Sequence, residues 1–156
     1  MIREYSEDGD REWAEALLEA EWGGASQVRR GELLDVLALP GFVAEEDGAA
    51  LGLVTYRVEE GECELAFLQA FERSRGIGTE LLEAVAGVAS DCERVWVVTT
   101  NDNLDALRFY QRRGFRLAAL RPGAVDAARA SLKPRIGRVG AHGIPIRDEL
   151  ELERRQ

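Results

Sequence analysis

The stretch Leu65-Ala66-Phe67-Leu68-Gln69-Ala70-Phe71-Glu72-Arg73-Ser74-Arg75-Gly76-Ile77-Gly78-Thr79-Glu80-Leu81-Leu82 decides the fold. It reads as an apolar strand, a short polar turn and a helix that opens on two glycines. Leu65 to Leu68 is apolar at every position, as a central strand covered on both faces requires. Gly76 and Gly78 carry no Cβ, so a ligand can come close to the backbone there. The first turn of the following helix has N–H groups without intrahelical partners and the positive end of the helix dipole behind them. Such a turn suits a phosphate or pyrophosphate, and Arg73 and Arg75 add positive charge beside it. A packing turn is the plainer reading of the same glycines.

Upstream, Met1 to Tyr5 predicts a first strand, and Trp13, Ala16, Leu17 and Ala20 recur at helical spacing until Trp22-Gly23-Gly24 ends that helix. Gly31 to Leu39 predicts a second, short helix stopped by Pro40-Gly41. Phe42 to Glu46 and Ala50 to Val58 flank Asp47-Gly48 and predict a hairpin. Cys63 to Ala70 is the central strand, and Gly76 to Asp91 is an amphipathic helix. Downstream, Arg94 to Thr100 predicts a second central strand, parallel to the first because a crossover helix joins them. Asn103 to Arg113 is the next helix and Phe115 to Leu120 the next strand. Ala124 to Leu132 is helical, Lys133 to Gly143 an irregular loop, and Ile144 to Glu153 the closing strand. The expected architecture is α/β, one domain over 1–156, with an insert at 122–143 between the last two strands.

The 156 residues, 46% apolar and 31% charged, have the composition of a globular domain. A net charge of −9 speaks against a nucleic-acid surface, which needs clustered basic residues. Neither a membrane-spanning run nor a signal core is present in the sequence, so a cytoplasmic location is expected. Cys63 and Cys92 give neither a disulfide framework nor a metal spacing, and no metal is expected.

Arg73-Ser74-Arg75-Gly76-Ile77-Gly78 resembles the Arg/Gln-x-x-Gly-x-Gly/Ala pyrophosphate signature of the GNAT superfamily of N-acetyltransferases. Asn103-Leu104-Asp105-Ala106-Leu107-Arg108-Phe109-Tyr110, followed after three residues by Gly114-Phe115, resembles that family's other recurrent segment. The two occur in the family's order, and the resemblance covers nearly the whole chain. It implies a mixed, mostly antiparallel sheet with a splayed parallel central pair, flanked by helices. It also implies acetyl-CoA as co-substrate and acetyl transfer to a primary amine of a small molecule or peptide by direct attack on the thioester. An acyl-CoA-binding sensor or scaffold without turnover is the alternative.

By the resemblance, the backbone of Leu68, Gln69 and Ala70 pairs with the pantetheine amides, and a backbone N–H near Leu68 polarises the thioester. Arg73, Arg75, Gly76, Ile77, Gly78 and Thr79 hold the pyrophosphate. Asn103 and Tyr110 are about 10 Å apart along one helix face, so one elongated ligand can meet both. The family's tyrosine protonates the leaving thiolate, which assigns Tyr110 as general acid; a half-buried core aromatic is the plain reading. Asn103 is either a cofactor contact or an N-cap.

Candidates for the base are Glu64, on the same strand face as Ala66 and Leu68 if the register is unbroken, and Asp148. Alternation along Ile144, Ile146, Asp148, Leu150 and Leu152 directs the Asp148 carboxylate inward, with Arg30, Arg147 or a hydroxyl as its partner. Arg30, Trp22 and Arg147 are acceptor-side candidates, and an arginine there favours a carboxylate-bearing acceptor. His142 reads as an exposed loop residue and Cys63 as inert core. A homodimer sharing the insert or the last strand is a further expectation.

Overall fold

The computed structural model describes residues 1–72 and 75–156. Among the described residues nine strands and four α-helices follow one another as β1 (Ile2–Glu4), α1 (Glu7–Trp22), β2 (Ser26–Arg29), β3 (Glu32–Asp35), β4 (Gly41–Glu46), β5 (Ala49–Glu59), β6 (Glu62–Ala70), α2 (Ile77–Val88), β7 (Arg94–Thr100), α3 (Leu104–Arg112), β8 (Arg116–Arg121), α4 (Ala124–Ser131) and β9 (Glu149–Arg155). Single 3-10 turns lie at Val36–Ala38 and Ala141–Gly143. Seven strands make one mixed, mostly antiparallel sheet in the order β1-β4-β5-β6-β7-β9-β8, with one parallel pair; β2 and β3 pair separately. Two compact units make up the chain: Met1–Ala25, Asp35–Val95 and Arg155–Gln156 form the first, and Ser26–Leu34 and Trp96–Arg154 the second.

The helix expected at Gly31 to Leu39 is not formed. Arg30 and Gly31 both adopt positive φ (55° and 74°) and make a two-residue hairpin turn between β2 and β3. Only Val36–Ala38 keeps a helical turn, capped by the Asp35 carboxylate on the Leu37 N–H at 3.1 Å. The closing strand is also shorter than expected and begins at Glu149 rather than Ile144. Pro145 has no N–H to give a ladder, and the segment before Glu149 is bonded instead to Asn101 and to residues 138–140.

In the first unit, β5 pairs with β4 and β6 in antiparallel registers. The β5–β6 register breaks between Thr55, which pairs with Phe67, and Tyr56, which pairs with Leu65, so Ala66 is an extra residue in β6. The break matters because side chains alternate. After it, Leu68 and Ala70 lie opposite Val54 and Gly52 on one face, with Phe67 and Gln69 on the other. Before it, Glu64 lies opposite Arg57, which shares the face of Thr55 and Phe67. The expected grouping of Glu64 with Leu68 is therefore reversed.

Helix α2 covers the Gly52 face. A Cβ built on Gly52 would lie 2.8 Å from Ile77 Cγ2 and 2.9 Å from Leu81 Cδ1, so the glycine sets how closely α2 approaches the sheet. Val54, Leu81, Leu82 and Val85 are fully buried there. Trp22, at the end of α1, meets the other face and packs edge-on against Phe67 at 5.5 Å.

In the second unit, Tyr110, Phe115, Val125, Ala128 and Leu152 are buried. Helix α3 starts at an Asn103 cap and ends where the Phe115 N–H returns to the Tyr110 carbonyl at 3.0 Å. Strands β8 and β9 pair in antiparallel fashion, with a register break between Leu117 and Ala119.

Candidate active site

The turn after β6 has the geometry of an anion cradle. Gly76 caps α2 in the left-handed conformation (φ 73°) and is exposed, and a Cβ placed on it would meet no atom within 4 Å. The first helical bond here runs from the Glu80 N–H to the Gly76 carbonyl at 3.0 Å, so the N–H groups of Ile77, Gly78 and Thr79 precede the ladder. A phosphate-bearing ligand fits such a cradle. Arg75 is exposed and spans two carboxylates, Glu72 at 3.0 Å and Glu46 at 2.5 Å. Arg73 lies outside the described residues.

Leu68, Gln69 and Ala70 are the last three residues of β6 and are half-buried. The Gln69 carboxamide is fixed at both ends: its oxygen accepts from Trp22 Nε1 at 2.8 Å, and its nitrogen donates to Glu21 at 2.7 Å. Glu64 is buried at 2% exposure, and its carboxylate lies 3.3 Å from Arg57. The register break thus puts a candidate base on the same strand face as Phe67 and Gln69, the two residues that Trp22 touches. Cys63, next to Glu64, is fully buried, and burial pushes its thiol up to about 12; a thiolate nucleophile is not available there near neutral pH.

In the second unit, Asn103 acts as the α3 N-cap, its side-chain oxygen accepting from the Ala106 N–H at 3.1 Å. Tyr110 is 6% exposed and sits between Phe109 and Phe115, with ring centroids at 5.1 and 5.2 Å. Burial pushes its hydroxyl well above the ordinary tyrosine range, so it is protonated at neutral pH. Among the described residues the hydroxyl makes no hydrogen bond.

Asp148 is not on an alternating strand. It precedes β9, is only half-buried, and its carboxylate accepts from the Gly123 N–H at 2.8 Å. The inward carboxylates of this region are Glu149 and Glu151, at 2% and 5% exposure, which the expected strand phase pointed outward. Both Glu149 oxygens accept from the Arg30 N–H, at 3.1 and 3.3 Å, and Arg121 lies 3.6 Å from Glu149 and bonds Glu151. The Arg30 guanidinium sits 4.8 Å over Trp96 and 4.0 Å from Glu151. The cluster forms because the Arg30-Gly31 turn, with both residues at positive φ, presents the Arg30 N–H to Glu149, a conformation the expected helix did not include. Arg147 is exposed, and His142, also exposed, lies 3.9 Å from Asp105. Among the described residues no three His, Cys, Asp or Glu side chains converge as a metal site, and no helix is long and apolar enough to cross a membrane.

Comparison with known proteins gives a consistent family. Residues 3–115 match the model of the acetyltransferase (GNAT) family. The uncharacterised Bacillus subtilis protein YdhI is 40% identical over 132 residues, spanning 83% of this chain and 82% of YdhI. An IAA acetyltransferase from Bacillus cereus is similar in structure with a TM-score of 0.76 at 17% identity, over 100% of this chain and 99% of that one. A GNAT family acetyltransferase from Elizabethkingia anophelis, solved with acetyl-CoA bound, is similar with a TM-score of 0.71 at 15% identity, over 100% of this chain and 97% of that one.

Proposed function

The chain belongs to the GNAT acetyltransferase family, and from that premise we propose that it is an acetyl-CoA-dependent N-acetyltransferase acting on a primary amine of a small molecule or peptide. The observation that carries this reading is Gly76, left-handed, exposed and with open space above its Cα, placed between the end of β6 and the first turn of α2. The E. anophelis relative's bound acetyl-CoA supports the same cofactor here. Both units belong to one catalytic domain on this reading.

Each residue then has a role. The N–H groups of Gly76 to Thr79 hold the pyrophosphate, with Arg75 beside them, and the β6 backbone from Leu68 to Ala70 holds the pantetheine. A backbone N–H near Leu68 donates to the thioester oxygen as negative charge develops there. The amine nitrogen forms the new C–N bond, the C–S bond breaks, and the Tyr110 hydroxyl gives its proton to the departing thiolate. Burial keeps Tyr110 protonated until that moment. Glu64 is the favoured base or water-binding group, because it shares a face with the Trp22–Gln69 contact. Asp148, engaged on Gly123 outside the strand, is the weaker candidate. Asn103 acts through its cap, which fixes the start of the helix that bears Tyr110.

The test is a thiol-release assay with acetyl-CoA over amino acids, polyamines, aminoglycosides and short peptides, with the acetylated product identified by mass spectrometry. Release with one amine class and a matching N-acetyl product is expected. Tight acetyl-CoA binding without release for any class would favour the sensor reading instead.

A further inference from the structure

Thr55, in the second half of β5, is fully buried, and its Oγ1 makes no hydrogen bond among the described residues. Buried hydroxyls ordinarily have a partner, and one with none at all weakens the fold that contains it. The methyl of Thr55 is turned toward β4: a Cβ built on Gly41, the residue paired with it there, would lie 3.1 Å from Thr55 Cγ2. The hydroxyl therefore takes another direction. Leu53 and Phe67, on the same sheet face, are buried and apolar, so their side chains offer it nothing.

In β5 and β6 the buried polar or charged residues are Thr55 and Glu64. Arg57, two residues after Thr55 and so on its face, is paired with Glu64 in the register and lies 3.3 Å from its carboxylate. Thr55 itself is paired with Phe67. Thr55 and Glu64 are thus diagonal neighbours on one face, a separation that a long side chain and one water together can bridge. Between them lies Ala66, the extra residue of β6, with no opposite residue in β5. Such a bulge interrupts the ladder and leaves backbone groups outside regular pairing.

We infer that the Thr55 hydroxyl, the Glu64 carboxylate and the β6 backbone at Ala66 hold one buried water, and that through it Thr55 is a positioning residue for Glu64. Buried waters make roughly three hydrogen bonds, chiefly to groups that otherwise have none, and this set supplies them. A carboxylate can accept about four hydrogen bonds, so the Arg57 contact does not exhaust Glu64. Full burial keeps the Thr55 hydroxyl from any acceptor or cofactor, which makes water the ligand that fits. The water and Arg57 then hold the Glu64 carboxylate from two sides and fix the direction of its oxygens. The part that Glu64 plays in acetyl transfer rests on the proposed function; the water site does not.

The test uses the whole chain and two replacements of one side chain. Thr55→Val keeps the shape and removes the hydroxyl, and Thr55→Ser keeps the hydroxyl and removes the methyl. High-resolution crystal structures should show a water within hydrogen-bond distance of Thr55 Oγ1 and the Glu64 carboxylate, absent from Thr55→Val. Urea unfolding supplies a sign: a hydroxyl with no partner makes the valine protein the more stable one, and a water-bound hydroxyl makes it the less stable one. The second result is expected. With the amine that the thiol-release assay identifies, Thr55→Val should lower kcat by about tenfold and leave acceptor KM and acetyl-CoA affinity unchanged, and Thr55→Ser should restore kcat. A Thr55 hydroxyl bonded to a protein carbonyl with no water beside it, or a stabilised valine variant, would overturn the site. A water in place with kcat unchanged in Thr55→Val would overturn the positioning role. Absence of turnover by the wild type with every amine would count against the proposed function, and diffraction and unfolding would then decide the water site by themselves.

Discussion

The indole Nε1–H of Trp22 donates to the side-chain oxygen of Gln69 at 2.8 Å, tying the last residue of α1 to the next-to-last residue of β6. Glu21 holds the other end of the same carboxamide at 2.7 Å. On the proposed function the backbone of Gln69 holds the cofactor, and with Trp22 as an acceptor-side candidate this bond would join the two halves of the reaction in one unit. Trp22→Phe keeps a ring against Phe67 but removes the donor. It should raise the acceptor KM several-fold, leave acetyl-CoA affinity near that of the wild type and cost about 1 kcal/mol of stability. Steady-state kinetics and denaturant unfolding check all three; an unchanged acceptor KM would remove Trp22 from the acceptor side.

On the proposed function, Arg75 exchanges the carboxylates of Glu46 and Glu72 for phosphate when acetyl-CoA binds. Solvent screens exposed ion pairs such as these, so the exchange costs little. Removing the competing charges with Glu46→Gln and Glu72→Gln should tighten acetyl-CoA binding by roughly two- to fivefold, more at low salt than at high salt. Calorimetric titration at two ionic strengths measures it. Weaker binding would mean that the carboxylates orient Arg75 rather than compete for it.

Tyr110→Phe separates acid from core. The ring packing with Phe109 and Phe115 survives, so stability and cofactor affinity should hold while kcat falls by about a hundredfold or more. The raised hydroxyl also fixes the pH behaviour. The native protein binds the proton more tightly than the unfolded chain, so stability falls as pH rises above the ordinary tyrosine value of about 10, and kcat shows no loss from this group below that pH. An unchanged kcat in the phenylalanine variant would leave Tyr110 as plain core.

Gly52→Ala should push α2 off the sheet, since its Cβ would approach Ile77 and Leu81 more closely than carbon atoms allow. A loss of about 1–3 kcal/mol is expected, together with weaker acetyl-CoA binding because the cradle at Gly76 moves with α2. A stability loss with unchanged affinity would uncouple the cradle from this packing.

Asp10 links the first strand to α1. Its carboxylate takes two bonds from Arg3, both at 2.9 Å, and further bonds from the Ser6 N–H and the Trp13 indole. The Arg3 guanidinium holds the acid well below the usual carboxylate range. The sign follows: its contribution is present above about pH 4 and is lost as pH falls through the depressed native value. Asp10→Asn should therefore destabilise the protein at pH 7 and flatten its stability profile below pH 4, as urea unfolding across that range would register.

Most of this fold was legible because its signals are local. The Asp47-Gly48 turn, the apolar run of β6, the glycines at 76 and 78 and the Asn103-to-Phe115 segment each announce themselves within a few residues. Two features that decide side-chain direction did not. The extra residue Ala66 in β6 looks like any other apolar strand position, yet it moves Glu64 to the opposite face. Arg30-Gly31 resembles a helix start until both residues adopt positive φ, and only then does Glu149 gain a partner. In the same way, residues 144–148 alternate like a strand but give their hydrogen bonds to Asn101 and to residues 138–140. Register and turn conformation are settled by distant partners, and a single sequence does not display those.

The most direct test of the central claim is calorimetric titration of acetyl-CoA into the wild-type protein and into Gly76→Glu. The variant adds a negative charge at the cradle and about 1–2 kcal/mol of left-handed strain. One-to-one binding to the wild type is predicted, lost in a variant that still unfolds cooperatively. No binding to the wild type, or undiminished binding to Gly76→Glu, would contradict the assignment of this turn to the cofactor and the acetyl transfer built upon it.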